Sequence, residues 1–351
     1  MKILIFIGFY LLLLTSCQQR PQNIFIGSVR MISDFPKTVT LIGDTIAIDN
    51  FGANTIHIID SFMIFAGGRL DTFYKVCSKY DYTYLGNYIP QGRGQSELSS
   101  ISFPLFYQTD SSGAKIFLQD RENLTIKTFN ITKSVKKRRT VFDNENIDIK
   151  NLPGLKTLYP INDTLFFLHY FNYRNNKECY ALLNSDTQIP LYTDTIYNNS
   201  ISSRGNIFLW NTFGSINYNK KRYVTAMQFF NQINIYNIDT RNALTIIPNN
   251  TQTQIKEVEE TLMPEKMEYY EDLISTDSQI WALYANKNRK DWATQENIST
   301  EIHVLDWDGN PLVKFILPQK INKIALDEEQ KILYGMTSSE KVFKYPINQL
   351  Q

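Results

Sequence analysis

The residues best suited to chemistry are few in this chain and poorly spaced for it. Three histidines occur, His57, His169 and His303, and three cysteines, Cys17, Cys77 and Cys179. A three-histidine metal site needs its imidazoles to converge on one point. Here they fall in strands of three different repeat units, with His303 in an outer strand, so satisfied core or surface histidines are expected. Asp306-Trp307-Asp308-Gly309-Asn310 offers the first three ligand positions of a calcium loop. Pro311 then stands where such a loop needs Gly, and Leu317 where it needs Glu, so the segment reads as a hairpin turn. Cys77 and Cys179 lie in non-neighbouring units and are expected as buried free thiols. No Gly-x-Ser-x-Gly elbow, phosphate loop or His-Glu-x-x-His occurs. Carboxylates are plentiful, 35 in all, but spacing singles out no pair. No catalytic residue, metal or cofactor is therefore expected.

Composition narrows the remaining classes. Lys and Arg number 36 against 35 acidic residues, a net charge of +1. A near-neutral chain lacks the basic surface that non-specific nucleic-acid binding needs. Hydrophobic residues at 43% and aromatics at 13% can fill a packed core, which excludes wholesale disorder. At the N-terminus, Lys2 precedes an apolar run, Ile3–Leu14, broken only by Gly8 and Tyr10. Twelve helical residues span about 18 Å, short of the roughly 30 Å hydrocarbon core, so the run reads as a signal peptide. Leu14-Thr15-Ser16-Cys17 closes it and resembles a bacterial lipobox. Residues 1–16 are thus expected to be removed and Cys17 lipidated, with 17–37 as a tether. Gln18-Gln19-Arg20-Pro21 brings no acidic residue after the Cys, which favours a periplasm-facing protein anchored in the outer membrane.

Residues 38–351 show six units, each an apolar strand, a polar turn and a second apolar strand. Comparable points in the turns fall at residues 61, 112, 163, 220, 277 and 328, so the spacing is 51 or 57. A period near 50 built of short strands points to an all-β, six-bladed β-propeller. Second strands are expected at Phe62–Gly67, Lys115–Asp120, Leu165–Tyr170, Tyr223–Gln228, Ile280–Ala285 and Ile332–Thr337. Fourth strands are expected in five units, including Arg139–Asp143 in the second. The sixth runs out of chain, so an N-terminal strand near Asp44–Ile48 should close the last blade. The basic run Lys133, Lys136, Lys137, Arg138 and Arg139 reads as a solvated hairpin. Asp-Thr-aliphatic triplets at Asp44, Asp163 and Asp194 read as turns before strands, with O-glycosylation of the Thr as the alternative.

Two stretches also carry a family resemblance. One is the Gly-rich link Gln91-Gly92-Arg93-Gly94-Gln95-Ser96-Glu97, followed by a strand ending in Asp120-Arg121. The other is Ile59-Asp60-Ser61-Phe62. With the lipobox, the chain resembles the TolB-like and NHL-like six-bladed propeller lipoproteins of Gram-negative bacteria over about residues 40–347. That resemblance implies a fold and an envelope address but no activity.

Strand direction places a site. In an antiparallel four-stranded blade, connections from strand two to three and from strand four to the next blade share one face. The three longest connections, Thr195–Thr212, Asn249–Tyr269 and Asn286–Thr300, all lie there, and long loops on a rigid scaffold concentrate binding residues. The first holds Tyr197, Arg204 and Trp210; the second is acidic; the third holds Lys287, Arg289 and Trp292. These are the candidate binding residues, unless the acidic and basic loops simply pair and cap the ring. The expected function is non-catalytic binding of an envelope protein, peptide or glycan by a monomer. The alternative is a lactonase-like or glycan-cleaving hydrolase working in the central channel.

Overall fold

The computed structural model describes residues 24–347 apart from 50–51, 69–70, 101–103, 144–146, 151, 153, 185, 188 and 198–206. Six sheets form a six-bladed propeller. Blade one holds Thr55–Ile59, Phe62–Ala66, Thr72–Ser78 and Tyr84–Pro90, and blade two Pro104–Asp110, Gly113–Asp120, Thr125–Asn130 and Ile147–Asp148. Blade three follows with Leu155–Pro160, Leu165–Asn172, Lys177–Asn184 and Pro190–Thr195. Blade four holds Thr212–Asn217, Arg222–Met227, Ile233–Asn237 and Ala243–Pro248. Blade five has Met267–Ser275, Gln279–Asn288, Thr300–Asp306 and Pro311–Leu317. Blade six has Lys323–Asp327, Ile332–Met336 and Val342–Pro346. The first strands pack against one another around the axis.

Second strands are the most buried because neighbouring blades cover both their faces. Phe62–Ala66 is buried at all five positions, so its run of apolar residues need not alternate. The tight turns between first and second strands use left-handed residues, at Asp60, Lys221 and Lys331, which matches the twist of the hairpins they join.

The last blade is closed by Asp44–Ile46, antiparallel to Val342–Pro346 with Ile46 opposite Val342. The chain before it does more than the repeats suggest. Ser28–Ile32 adds a fifth, parallel strand to the outer edge of blade four, and Thr38–Thr40 does the same for blade five. From Ile24 onward, the segment read as a tether is packed against the ring. Ile24, Phe25, Ile32 and Phe35 are all buried, and Phe35 lies 4.7 Å from the His303 ring. Ser28–Ile32 escapes notice in the sequence because four of its five residues are exposed, so no apolar alternation marks it.

Blade two corrects an expectation. The basic run is not a hairpin but a helix, α1 (Ile131–Lys137), and the fourth strand lies later, at Ile147–Asp148. The Asn130 side chain caps the helix by accepting from the Lys133 amide at 2.9 Å, and Ser134 Oγ donates to the Asn130 carbonyl at 2.6 Å. Arg138 ends it in the left-handed conformation, the usual helix stop. Cys77 and Cys179 are free and buried, as expected. Asp306–Asn310 is a hairpin turn, with Asp306 Oδ1 accepting from the amides of Asp308 and Asn310. Among the described residues, no helix is long and apolar enough to cross a membrane.

Candidate functional site in the central channel

One inner-strand residue from each blade takes part in contacts between blades: His57, Tyr107, Tyr159, Phe213, Asp272 and Lys323. His57 Nδ1 is hydrogen-bonded to the Tyr107 hydroxyl. The Tyr159 hydroxyl donates to the Gly214 carbonyl at 3.3 Å. The Lys323 ammonium lies 4.6 Å from the Phe213 ring centre and 4.0 Å from Asp272 Oδ1. Electrostatics links these groups into one belt. Burial, helped by the Lys323 charge, lowers His57 to about 3, so the imidazole is neutral at pH 7. Burial raises the Asp272 carboxyl, while Lys323 and the amides of Ile324 and Leu273 oppose that rise. Replacing Tyr107 by Phe strands His57 Nδ1. The expected cost is about 1–2 kcal/mol, read as a lower urea midpoint at unchanged m-value.

The inner strand of blade five, Met267–Ser275, is irregular. Its register against Gln279–Asn288 shifts between Glu268 and Tyr270 and again between Tyr270 and Asp272. On a regular strand, residues three apart point to opposite faces. The second shift adds one residue to this strand between Tyr270 and Asp272, which puts Glu268 and Glu271 on the same side, where their carboxyls interact. Bulges commonly re-aim side chains beside functional sites. Burial raises both carboxyls, and the neighbouring Glu268 helps push Glu271 up to about 8. Two buried like charges close together cannot both ionise cheaply, which is why each raises the cost of ionising the other. Glu268 accepts from Gln228 Nε2 at 3.1 Å and faces the Arg289 guanidinium at 3.7 Å. Lys323 donates to the Glu271 backbone carbonyl at 2.8 Å. Glu271 Oε1 is buried with no hydrogen-bond partner.

The long loops build a cap over blade five. Helix α2 (Ile255–Glu260) ends before Pro264, and a short helical turn, Met263–Glu265, packs against α3 (Arg289–Thr294). The Lys266 ammonium donates to the carbonyls of Val258 and Thr261, satisfying the end of α2. The Arg289 amide donates to the Lys266 carbonyl at 2.8 Å. Trp292 is buried with Ala285 and Ile298, beneath the Lys320 ammonium.

The candidate residues from the loops separate into two groups. Tyr197 and Trp210 are buried, with ring centres 4.2 Å apart, and Trp292 anchors α3. All three aromatics serve packing, because apolar rings in these loops gain more by joining the core than by facing water. Lys287 and Arg289 are exposed on the cap. Arg204 and Cys17 lie outside the described residues. The three histidines do not converge. His169 contacts Glu178 at 3.0 Å and Tyr223 at 3.3 Å, while His303 contacts Tyr270 and Glu301. Among the described residues, no group of three His, Cys, Asp or Glu side chains is arranged to hold a metal. The carboxyl pair went unseen in the sequence, although Glu268-Tyr-Tyr-Glu-Asp272 puts three acids in a segment flanked by strand residues, an unusual load for an inner strand.

The family described as TolB-like 6-blade propeller-like matches residues 54–329. Among curated proteins, none matches the sequence. Solved structures that share its fold include two from Bacteroides. A DUF4221-family member from Bacteroides vulgatus has a TM-score of 0.59 at 10% identity, covering 93% of this chain and 98% of its own. A putative exported protein from Bacteroides fragilis has a TM-score of 0.54 at 8% identity, covering 91% of this chain and 98% of its own. At such identities the likeness concerns the fold alone.

Proposed function

The chain belongs to the TolB-like six-bladed propeller family, and from that premise we propose that it is a non-catalytic binding module of the cell envelope. It is held at the outer membrane, facing the periplasm, by lipid at Cys17, and it takes a partner protein on its loop-rich face as a monomer. The exported Bacteroides fragilis neighbour is in keeping with an envelope address. The observation that carries the binding role is the cap. Helix α3, seated on a buried Trp292, presents Arg289 and Lys290, with Lys287 just before it, to solvent. A rigid cationic edge beside a rim of Glu257, Glu260 and Glu265 gives a partner a patterned charge surface, which sets specificity and association rate.

The hydrolase reading would centre on one buried carboxyl pair, Glu268 and Glu271, each of which affects the other's acidity.

The test is capture of envelope proteins by cross-linking, comparing the parent with a Lys287→Glu/Lys290→Glu variant. Both positions are exposed, so the thermal midpoint should not move. Capture of the partner is expected to fall at least about tenfold. Undiminished capture at equal folding would remove the loop face from consideration.

A further inference from the structure

A lipid at Cys17 constrains how the ring lies, because the ring takes hold of the chain almost at once. Ile24 and Phe25 are buried. Phe25 bridges to Tyr197, its ring centre lies 6.2 Å from that of Tyr180 in blade three, and the Ile26 amide donates to the Ile196 carbonyl at 2.9 Å. From there the chain runs straight into Ser28–Ile32 on the outer edge of blade four. The entry point is thus the rim between blades three and four. Seven residue steps separate Ile24 from Cys17, at most about 25 Å fully extended. A domain of this size is roughly 50 Å across, so blades six and one, opposite that rim, are held away from the bilayer.

The rim that the anchor brings near lipid is also where apolar side chains face outward. Among the described residues, eleven large apolar side chains are exposed. Six of them, Val29, Met31, Tyr173, Ile189, Leu191 and Tyr218, belong to blades three and four, and none lies in the strands or hairpins of blades five and six. Val29 and Met31 share one side of their strand, while Arg30 on the other side is turned to blade five, donating to the Asp308 carbonyl and to Asn310 Oδ1, each at 2.9 Å. Leu191 lies on the outer strand of blade three, which is joined to blade four by the Tyr192 hydroxyl on the Ile238 carbonyl at 2.9 Å and the Tyr236 hydroxyl on Asp194 at 2.5 Å. The outer edge of Ser28–Ile32 has no neighbouring strand among the described residues, and an open edge with exposed apolar residues is a liability in water. Thr38–Thr40, the other added strand and farther from the anchor along the chain, exposes two threonines instead.

We propose that the outer rim of blades three and four, with Val29, Met31 and Leu191, rests on the phospholipid surface, so that the ring stands on edge and its loop-rich face stays open to a partner. This inference rests on the anchoring reading above. The test uses the full chain, purified with its own N-terminus and reconstituted into vesicles of phosphatidylethanolamine and phosphatidylglycerol carrying a headgroup nitroxide. A fluorophore is attached at Met31→Cys or, on blade six, at Ser338→Cys; Cys77 and Cys179 are buried, and the unsubstituted chain gives the background. Quenching at position 31 should exceed that at 338 at least about threefold. Adding Val29→Asp and Leu191→Asp to the Met31→Cys chain should lower it at least about twofold, because charges do not seat in the acyl boundary. Both positions are exposed, so the thermal midpoint should not move. Equal quenching at 31 and 338, or quenching unmoved by the two aspartates, overturns the proposal. So does a detergent-solubilised dimer that Val29→Asp dissociates, which would give the edge to a second copy of the chain. The mass of the N-terminal peptide reads the lipid separately: acyl chains on Cys17 with equal quenching overturn the posture alone, whereas an unacylated Cys17 overturns the anchoring reading and this inference with it.

Discussion

Replacing Glu271 by Gln will stabilise the protein, and the gain will grow with pH. A glutamate in the unfolded chain titrates near 4.3, whereas burial and Glu268 push Glu271 up to about 8 in the fold. A carboxyl whose folded pKa is raised contributes its stability fully below the unfolded pKa. That contribution is lost as pH rises toward and through about 8. Over this window the folded state binds a proton that the unfolded state does not, so stability falls by up to about 1.4 kcal/mol per pH unit. Glutamine keeps the shape without the charge. The variant should match the parent near pH 4 and exceed it by about 3–5 kcal/mol at pH 8.5. Urea unfolding at both pH values measures this. Parallel pH profiles for parent and variant would mean that the Glu271 carboxyl is not raised in the fold.

Removing the chain up to Ile46 will unfold the propeller, while starting it at Ile24 will not. The shorter chain loses Ile24, Phe25, Ile32, Phe35, Leu41 and Ile46, all buried. At about 1.5–3 kcal/mol for each of the six apolar side chains, the loss reaches roughly 9–18 kcal/mol, as much as a whole domain usually has. It also opens the edge of Val342–Pro346 and the edges of blades four and five, and open edges pair with other chains. Circular dichroism and limited proteolysis should show a cooperative fold starting at Ile24 and an aggregated, protease-sensitive chain starting at Ala47. A soluble, cooperatively melting short form would show that ring closure is dispensable.

The repeats were legible in the sequence because each blade must bury a second strand between neighbours. That demand writes apolar runs such as Phe62–Ala66 and Ile280–Ala285 at a near-constant period. Closure by Asp44–Ile46 was legible for a related reason: a ring with three strands in its last blade needs a fourth, and only the N-terminal end had one to spare. The two parallel strands along blades four and five were not, since they are held by backbone pairing and by a few buried side chains between exposed ones. Helix α1 was missed because its signal is a cap, Asn130, and its basic face resembles any solvated turn. Aromatics in the long loops looked like contact residues, but Tyr197, Trp210 and Trp292 sit in the core, since loop membership does not settle burial.

The sequence by itself therefore determined the number of blades, the closing strand and the face that carries the long loops, because periodicity and strand direction are local properties. Only the tertiary structure decided where chemistry could occur. Glu268 and Glu271 share a side because one extra residue between Tyr270 and Asp272 turns a strand that would otherwise send them to opposite faces. His57, Tyr107, Asp272 and Lys323 meet because the ring brings together inner strands far apart in the chain. Proximity across an axis of pseudo-symmetry has no spacing rule, so no motif announces it.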